Sequence, residues 1–367
     1  MENEINNEYI ENAINELEKF FGVKEPVLSE NIFSSIRGGK VKESMKLIAR
    51  QLDLPIDINI TNVPNGYRSQ NGANQFQSTH LVRISQHGSR GSEGITAQVS
   101  IPGNLPFYGS STLNGYPINV KISENYTEHP VVFSMIIAHE LSHVLLYSLM
   151  HPKKDNEFYT DLLAIMLGFQ NIFQNGRKIT TREEIPEFMS TTIMTTTTSY
   201  GYLSDEQFNF ARDKINSILE KNRERKKLLS EEFKKFSKLL SKYEKTLYKF
   251  KKFLEYLTKN TNKKMTAEDG KKMVTFFQPE HMDELDLPLK EYKEKLEAIE
   301  KFFKEISHYT EQVVNQLTIY TNDLKTYTNK LKIKFVPLKK NVRMLKKYVS
   351  YKYRIKLFFF YLKGGKK

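Results

Sequence analysis

The sequence predicts an α+β domain followed by a long antiparallel α-helical coiled-coil hairpin. Short β-rich runs separated by Gly, Asn, Ser and Pro fill residues 58–123, and segments with helical periodicity flank them. From Leu229 onward, the apolar residues keep heptad spacing instead. The charge also changes along the chain. Residues 1–220 carry 18 Lys and Arg against 25 Asp and Glu, whereas residues 221–367 carry 38 against 18. These changes predict units with different roles.

Four segments are expected. They are an N-terminal helical segment (1–55), an α+β domain (56–220), the hairpin (221–335) and a basic aromatic C-terminal segment (336–367). Within the first two, strands are predicted at 58–63, 80–85, 95–101 and 118–123, and helices at 131–150 and 157–173. Residues 174–203, which include a Thr run, are predicted to be loop. Ser204 in SDEQ is typical of a helix N-cap.

Two heptad series define the predicted hairpin. The first runs from Leu229 to Leu257 without interruption, and the second runs from Leu289 to Leu331 with Thr310 as its one polar position. A connector separates the two series, so an antiparallel pair of helices is expected. Pro337 is predicted to end the second arm, because proline cannot donate a backbone hydrogen bond. The heptads can be satisfied within one chain or between two, which leaves the oligomeric state open.

Cysteine usage and the first residues bear on location and chemistry. The chain has no cysteine, which excludes disulfides, thiolate metal sites and cysteine nucleophiles. Its first twenty residues are acidic and amphipathic and lack the basic and apolar regions of a secretory signal. We expect a cytoplasmic protein, with peripheral attachment to a membrane as an alternative.

A metal-binding pattern lies in the predicted helix 131–150. Residues 139–143 are His-Glu-Leu-Ser-His, so His139 and His143 are four residues apart and share a helix face, where both imidazoles can bind one ion. Glu140 lies about 100° further round the helix, within reach of a water on that ion. Zinc lowers the pKa of such a water toward about 7, and a carboxylate can take its proton. The pattern predicts a zinc hydrolase with Glu140 as catalytic base.

The surrounding residues support this interpretation. The segment VVFSMIIAHELSHVLLYSLM is apolar nearly all round, and its only carboxylate is Glu140, so we expect it to be buried. Burying a carboxylate and two imidazoles without partners is costly, and a metal with its water satisfies all three. The alternatives are a chance polar patch on a core helix and a membrane span. The sheet-like residues before the segment, and the lack of a basic cluster at either end, argue against a span.

Two downstream carboxylates are candidates for the third ligand. Glu157 and Asp161 are four residues apart and share a face of the next predicted helix. One can bind the metal, while the other accepts a hydrogen bond from a ligand imidazole and fixes its orientation. The residues alone leave open which carboxylate has which role.

HExxH followed by NExxxD (156–161) resembles the gluzincin, or thermolysin-like, metallopeptidases. The resemblance covers roughly residues 50–220 and implies a zincin-like domain, with a small mixed sheet plus active-site helices, that hydrolyses peptide bonds with Zn²⁺. The gap before NExxxD is shorter than in thermolysin and nearer to that of compact bacterial relatives. The roles implied are ligands His139, His143 and Glu157, base Glu140, and Asp161 as the hydrogen-bond partner that orients His139.

The same resemblance implies two further features. The family places a substrate-binding edge strand before the motif helix, and the runs 95–101 and 118–123 are candidates for it. No recognisable motif supplies a His or Tyr that stabilises the transition state. Tyr159, Tyr200 and Tyr202 are candidates through their nearness in sequence.

The composition of the C-terminal segment allows three interpretations. Residues 331–367 contain 13 Lys and Arg and no Asp or Glu, mixed with aromatic residues. Nucleic acid could bind through phosphate contacts and base stacking. An anionic membrane surface could bind through inserted aromatics and cations at headgroup level. The third interpretation is a last helix packed on the hairpin with a solvated basic face.

The sequence therefore predicts a zinc metallopeptidase acting on a peptide or protein. The competing class is a regulatory or partner-binding protein. In it the basic hairpin binds protein, nucleic acid or a membrane surface, and the metal domain is inactive or highly specific. Metal coordination separates the two classes, because a catalytic zinc keeps an open position for water and a structural zinc does not.

Overall fold

The computed structural model describes residues 6–65, 76–77, 83–84, 97–187, 190–260, 266–276 and 278–362. The chain is a mixed α/β protein, mostly helical, with a small four-stranded sheet and one helix of 55 residues. It forms two compact units. The first contains Met1–Lys221 and His308–Glu311, and the second contains Asn222–Ser307 and Gln312–Lys367. The predicted segments 1–55 and 56–220 thus fall within one unit.

The first unit begins with three helices, all within the predicted helical segment 1–55. They are α1 (Asn7–Phe21), α2 (Ser29–Arg37) and α3 (Val41–Gln51). Helix α1 packs through one apolar face at helical spacing, on which Ile10, Ile14 and Leu17 are fully buried and Phe21 is nearly so. The side chain of Asn6 caps α1 by accepting a hydrogen bond from the Tyr9 amide.

The sheet places a parallel pair at its centre. Strand β1 (Asp57–Val63) pairs in parallel with β5 (Pro117–Ser123), and β4 (Ala97–Ile101) pairs antiparallel with the other edge of β5. The two-residue β2 (Phe76–Gln77) then pairs with the end of β4. The three strands predicted at 58–63, 95–101 and 118–123 are confirmed in their described parts. Of the predicted strand 80–85, only β3 (Arg83–Ile84) lies among the described residues.

This strand order corrects one expectation about substrate binding. Strand β5 lies between β1 and β4, so the run 118–123 has no edge to offer a substrate. Strand β4 is paired with β2 only at Ser100 and Ile101 among the described residues. It also packs against the next helix, α4 (Pro130–Ser148).

Helix α4 forms the centre of the first unit. Proline occupies its first turn, where a missing N–H costs nothing, and sixteen of its nineteen residues are buried. Ser134 and Ser142 are tolerated there because their hydroxyls donate to the backbone carbonyls four residues earlier. Among the described helices, α4 alone has the length and hydropathy of a membrane span, and 89% of its apolar stretch is buried within the protein. One such helix is weak evidence for a span, since core helices share these properties.

Helix α5 (Glu157–Ala164) follows and continues through an irregular turn, Ile165–Phe169, into α6 (Gln170–Gly176). Gly168 in that turn has φ 103°, and a Cβ there would lie 2.6 Å from the carbonyl oxygen of Glu25. Glycine therefore allows the turn to approach the N-terminal segment closely.

The expectation of a loop over 174–203 was wrong. Strands β6 (Lys178–Glu187) and β7 (Ser190–Ser199) pair along ten positions, and β3 joins the far edge of β7. The Thr run 195–198 belongs to β7. β-Branched side chains favour strands, and this preference outweighs the polar character from which a loop was predicted.

The second unit contains most of α7 (Asp205–Lys259), together with α8 (Ala267–Phe276), α9 (Pro279–Glu305), α10 (Glu311–Lys346) and α11 (Tyr351–Leu362). The predicted cap is confirmed, since Ser204 Oγ accepts from the Gln207 amide and Gln207 Oε1 accepts from the Ser204 amide. Eight of the nine residues in the first heptad series are buried; the exception, Phe233, is partly exposed.

The prediction of a two-helix hairpin was wrong, because the second heptad series spans two helices. The chain leaves the helix between Glu305 and Glu311, around the polar position Thr310. The Phe236 ring of α7 lies 5.4 Å from Tyr292 on α9 and 6.1 Å from Tyr327 on α10. The Tyr292 and Tyr327 rings are themselves 5.1 Å apart. Three helices therefore meet at one level.

Other contacts fix the directions of these helices. Tyr243, further along α7, donates to the Leu285 carbonyl and packs 6.1 Å from Phe335. Residue numbers rising along α7 thus meet falling numbers on α9 and rising numbers on α10, so the second unit is a three-helix bundle with α9 antiparallel to the other two.

Pro337 does not end a helix, contrary to expectation. Helix α10 continues through it to Lys346. A proline inside a helix costs about 3 kcal/mol. Burial of Leu338 and Leu345 beyond the proline offsets that cost by keeping the last turns packed.

Candidate metal centre

Three of the predicted residues meet in space at one point. His139 and His143, one turn apart on α4, direct their Nε2 atoms at the same carboxylate oxygen, Oε2 of Glu157 on α5. The distances are 3.0 Å from His139 and 3.1 Å from His143. His139 is fully buried and His143 is 3% exposed, whereas the Glu157 side chain is 29% exposed. These residues form a group that could hold a metal ion, with its exposed side at Glu157.

Local structure explains how α5 presents Glu157. Asn156 caps the helix, with its side-chain oxygen accepting from the amides of Phe158 and Tyr159. Glu157 is therefore the first helical residue, and Asp161 lies one turn later on the same face. The N-terminal turn of a helix also favours a negative charge.

The other ring nitrogens fix the tautomers of both histidines. Nδ1 of His139 lies 2.7 Å from Oδ1 of Asp161, and Nδ1 of His143 lies 3.2 Å from the carbonyl oxygen of Lys154. A carboxylate and a carbonyl only accept hydrogen bonds, so both Nδ1 atoms carry the proton. In the neutral imidazoles both Nε2 atoms then present lone pairs to an oxygen that also carries lone pairs. A cation between them, either a proton or a metal ion, removes this repulsion.

The arrangement fits zinc by its donor set and its spacing. Two imidazole nitrogens and one carboxylate oxygen are the ligands of many catalytic zinc sites, which leave the fourth position open. Donor atoms on one tetrahedral zinc lie roughly 3.3 Å apart, since zinc–ligand distances are about 2.0–2.2 Å. The separations of 3.0 and 3.1 Å need only a small opening to reach that value. The residues present therefore fit the ion.

The electrostatics of the site favour a bound cation. Burial alone would lower the pKa of His139, but the hydrogen bond and charge of Asp161, with Glu157 and Glu140, raise the pKa to about 10. Burial likewise opposes the shift at Glu157, whose pKa the two histidines lower to about 2. Both shifts express the attraction between the imidazoles and the carboxylates, and a metal ion held among them would take the place of the protons.

Glu140 is fully buried beside this group. Its Oε2 accepts a hydrogen bond from the Val99 amide of β4 at 3.2 Å, and its charge acts on His139. The sheet thus holds the carboxylate that follows the first histidine. The sequence did not indicate Val99, because its contribution is a backbone amide and depends on how β4 crosses α4.

Asp161 is held by a turn that the sequence analysis missed. Its Oδ2 accepts from the Tyr202 amide at 2.8 Å, while Oδ1 binds His139. The turn passes through Gly201, whose φ is 89°, a region that residues with a Cβ rarely adopt. A Cβ on Gly201 would also lie 3.4 Å from Oδ2 of Asp161. The sequence feature that could have predicted this turn is Gly201 between Tyr200 and Tyr202.

A second missed residue supports His143. The hydroxyl of Thr160 lies 3.3 Å from Nδ1 of His143 and 3.1 Å from the Asn156 carbonyl. Thr160 and the Lys154 carbonyl together surround the protonated nitrogen. The position of Thr160 beside Asp161 could have suggested this role, whereas the Lys154 carbonyl could not be found from residue types.

The three candidate tyrosines occupy different places. The ring of Tyr202 stacks on His139, with centroids 5.5 Å apart and an angle of 21° between planes. Tyr159 donates its hydroxyl to Oε2 of Glu16 at 2.7 Å, and burial together with that carboxylate raises its pKa. Tyr200 is 4% exposed, and its amide donates to the Arg177 carbonyl. Of the three, only Tyr202 has a ring contact with a candidate ligand among the contacts described.

Comparison with protein-family models, with curated proteins and with solved structures gives no match to this chain. The resemblance to gluzincins therefore depends on the residues of the two motifs, and the structure adds that His139, His143 and Glu157 lie close enough to hold a metal ion.

Proposed function

We propose that this chain is a zinc-dependent metallopeptidase of the gluzincin type, with a zincin-like first unit. The observation that carries the proposal is the convergence of both Nε2 atoms on Glu157, with Glu140 buried beside them. We assign His139, His143 and Glu157 as ligands. Asp161 accepts from the nitrogen of His139 that faces away from Glu157, which is the position of an orienting partner.

We propose the remaining catalytic roles for groups whose positions are described above. Zinc, when bound, would polarise the peptide carbonyl and lower the pKa of a water enough for it to lose a proton at neutral pH. Glu140 takes the proton of that water and later delivers it to the leaving amine. The Val99 amide holds the Glu140 carboxylate in one orientation. We assign Tyr202, beside His139, as the first tyrosine to test for stabilising the transition state.

The proposal leaves β4 as the strand that aligns the substrate. Its residues Ala97–Val99 are unpaired on the β2 side among the described residues, and Val99 bonds Glu140. An extended peptide laid along this edge would lie against the strand that holds the catalytic carboxylate. Screening of peptide substrates would identify the sequence that binds along this strand.

The test is cleavage of a peptide library by the zinc-loaded full chain, measured by mass spectrometry. Glu140→Gln keeps the shape of the side chain and removes the base. We expect turnover to fall by about 10²–10⁴-fold with zinc content unchanged. Glu128→Gln, the same change at an exposed carboxylate before α4, is the matched control and should retain turnover. Equal turnover of Glu140→Gln and wild type would refute the assigned base.

A second candidate function is binding of a partner by the second unit, with the first unit inactive or highly specific. Five lysines from α7 and α10 favour it, since they line one groove of about 630 Å³: Lys235, Lys238, Lys242, Lys325 and Lys332. A zinc-loaded chain that cleaves no library peptide but binds a protein or nucleic acid through these lysines would favour this function.

A further inference from the structure

Helix α11 has one face packed on its own unit. The ring of Tyr353 lies 4.6 Å from Tyr256 of α7, and its hydroxyl donates to the Lys252 carbonyl at 3.4 Å. Leu357, one turn later, is 8% exposed. Tyr353 and Leu357 thus define the inward side of the helix.

The opposite face exposes large apolar side chains. Tyr351 is 72% exposed, Ile355 is 37% exposed and Phe358 is 57% exposed. Their spacing of four and three residues places them on one side of the helix, about 140–200° round from Tyr353. Leaving such a row in water is unfavourable, which marks it as a contact surface. We name these three residues the apolar stripe.

Cations lie on both sides of the apolar stripe. Lys352 and Lys356 are exposed on one side, and Arg354 lies on the other, where its guanidinium is 5.4 Å from the Tyr351 ring. Residues 331–367 contain no Asp or Glu. The helix therefore combines an exposed apolar row with a uniformly positive border.

We propose that α11 docks on an anionic lipid surface, with the apolar stripe entering the headgroup boundary and the flanking cations contacting lipid phosphates. Amphipathic helices with this arrangement lie in the plane of a membrane interface. Nucleic acid fits less well, because stacking on bases needs flat aromatic or guanidinium groups, and Ile355 offers neither. The lysines attract either polyanion, so the apolar stripe is what distinguishes the two.

The test is flotation of the full chain with phosphatidylcholine vesicles that contain or lack phosphatidylserine. Wild type should float with the anionic vesicles and stay in solution with the neutral ones. The double variant Ile355→Ser, Phe358→Ser should bind anionic vesicles about tenfold or more weakly. The double variant Lys352→Gln, Lys356→Gln should lose roughly tenfold at low salt, and less at high salt.

Matched controls separate a local effect from a general loss of apolar surface or of folding. Leu228 and Ile319 are 53% and 51% exposed on α7 and α10. The double variant Leu228→Ser, Ile319→Ser removes comparable exposed surface outside the apolar stripe and should float like wild type. Circular dichroism of every variant should show the helical content of wild type.

Three results would overturn the proposal. The first is equal flotation of wild type and the stripe variant. The second is binding of single-stranded oligonucleotides that depends on Lys352 and Lys356, without any binding to vesicles. The third is a dimer in sedimentation velocity that the stripe variant converts to monomer, which would assign the apolar stripe to a second copy of the chain.

Discussion

Helices α4 and α11 place their ionisable groups in opposite ways. In α4 the carboxylate Glu140 and the imidazoles of His139 and His143 are at most 3% exposed, and the contacts of each are described. The lysines of α11 lie on the surface, at the border of an exposed apolar row. A buried charge loses its hydration and is stable only when protein groups pair with it, whereas an exposed charge stays hydrated without a protein partner.

The metal centre and the three-helix bundle accordingly depend on different kinds of interaction. The centre in the first unit depends on a few polar contacts, each of which fixes the next. The second unit depends on apolar packing among three helices, where the aromatic rings of Phe236, Tyr292 and Tyr327 meet. Substitutions at the metal centre should therefore change metal affinity, and substitutions inside the bundle should change stability.

The largest effect on stability is expected for Phe236→Ala. The ring is fully buried between α9 and α10, so its removal leaves a cavity and should cost about 3–5 kcal/mol of unfolding free energy. Leu228→Ala, at a 53% exposed position of the same helix, should change stability by less than about 0.5 kcal/mol. Urea unfolding followed by circular dichroism measures both. Equal losses would contradict the packing described for the bundle.

The next effect tests the division of roles between the two carboxylates. Asp161→Asn brings an amide against the His139 N–H or the Tyr202 amide, both donors, and should weaken zinc binding about 10–100-fold. Glu157→Ala removes a ligand and should weaken it further. Competition with a zinc chelator measures the two affinities. A larger loss for Asp161→Asn than for Glu157→Ala would exchange the assigned roles.

A smaller effect is expected at the turn that holds Asp161. Gly201→Ala places a Cβ at φ 89° and 3.4 Å from the Asp161 carboxylate. The strain should cost about 1–2 kcal/mol of stability and reduce zinc affinity several-fold. Gly109→Ala is the matched control, because Gly109 has φ 82° with no atom near its Cβ position. Gly109→Ala should lose similar stability and keep the zinc affinity of wild type. If Gly109→Ala also bound zinc more weakly, the turn at Gly201 would have no specific role in holding Asp161.

The smallest effect distinguishes a three-helix bundle from a hairpin. The rings of Tyr292 and Tyr327 are 5.1 Å apart, so a double-mutant cycle with leucine at both positions should give a coupling energy of about 0.5–1.5 kcal/mol. In one continuous arm these residues would be roughly 50 Å apart at 1.5 Å per residue, and their coupling would be zero. The cycle is measured from four unfolding free energies.

Local patterns accounted for much of the fold. The helical stripe of α1, the buried α4, the strands β1, β4 and β5 and the Ser204 cap all follow from periodicity or capping within short segments. The hairpin prediction was wrong because heptad spacing says which residues face a partner and not how many helices share it. The polar position Thr310 marked the break between α9 and α10, and the Thr run was assigned by polarity although β-branching favours a strand.

The sequence indicated which side chains form the metal centre, but not which groups hold those side chains in place. HExxH and NExxxD named the imidazoles and carboxylates that the fold brings together. The groups that hold them are the Val99 amide, the Tyr202 amide and the Lys154 carbonyl. Backbone groups are the same at every residue, so only the path of the chain shows which of them reach the site.

Zinc stoichiometry of the purified chain tests the central claim most directly. Elemental analysis of wild type, His139→Ala and His129→Ala compares a proposed ligand with a partly exposed histidine at the start of α4. We predict one zinc per chain in wild type and in His129→Ala, and none in His139→Ala. Wild type that takes up no zinc on addition, or His139→Ala that retains one zinc per chain, would contradict this prediction.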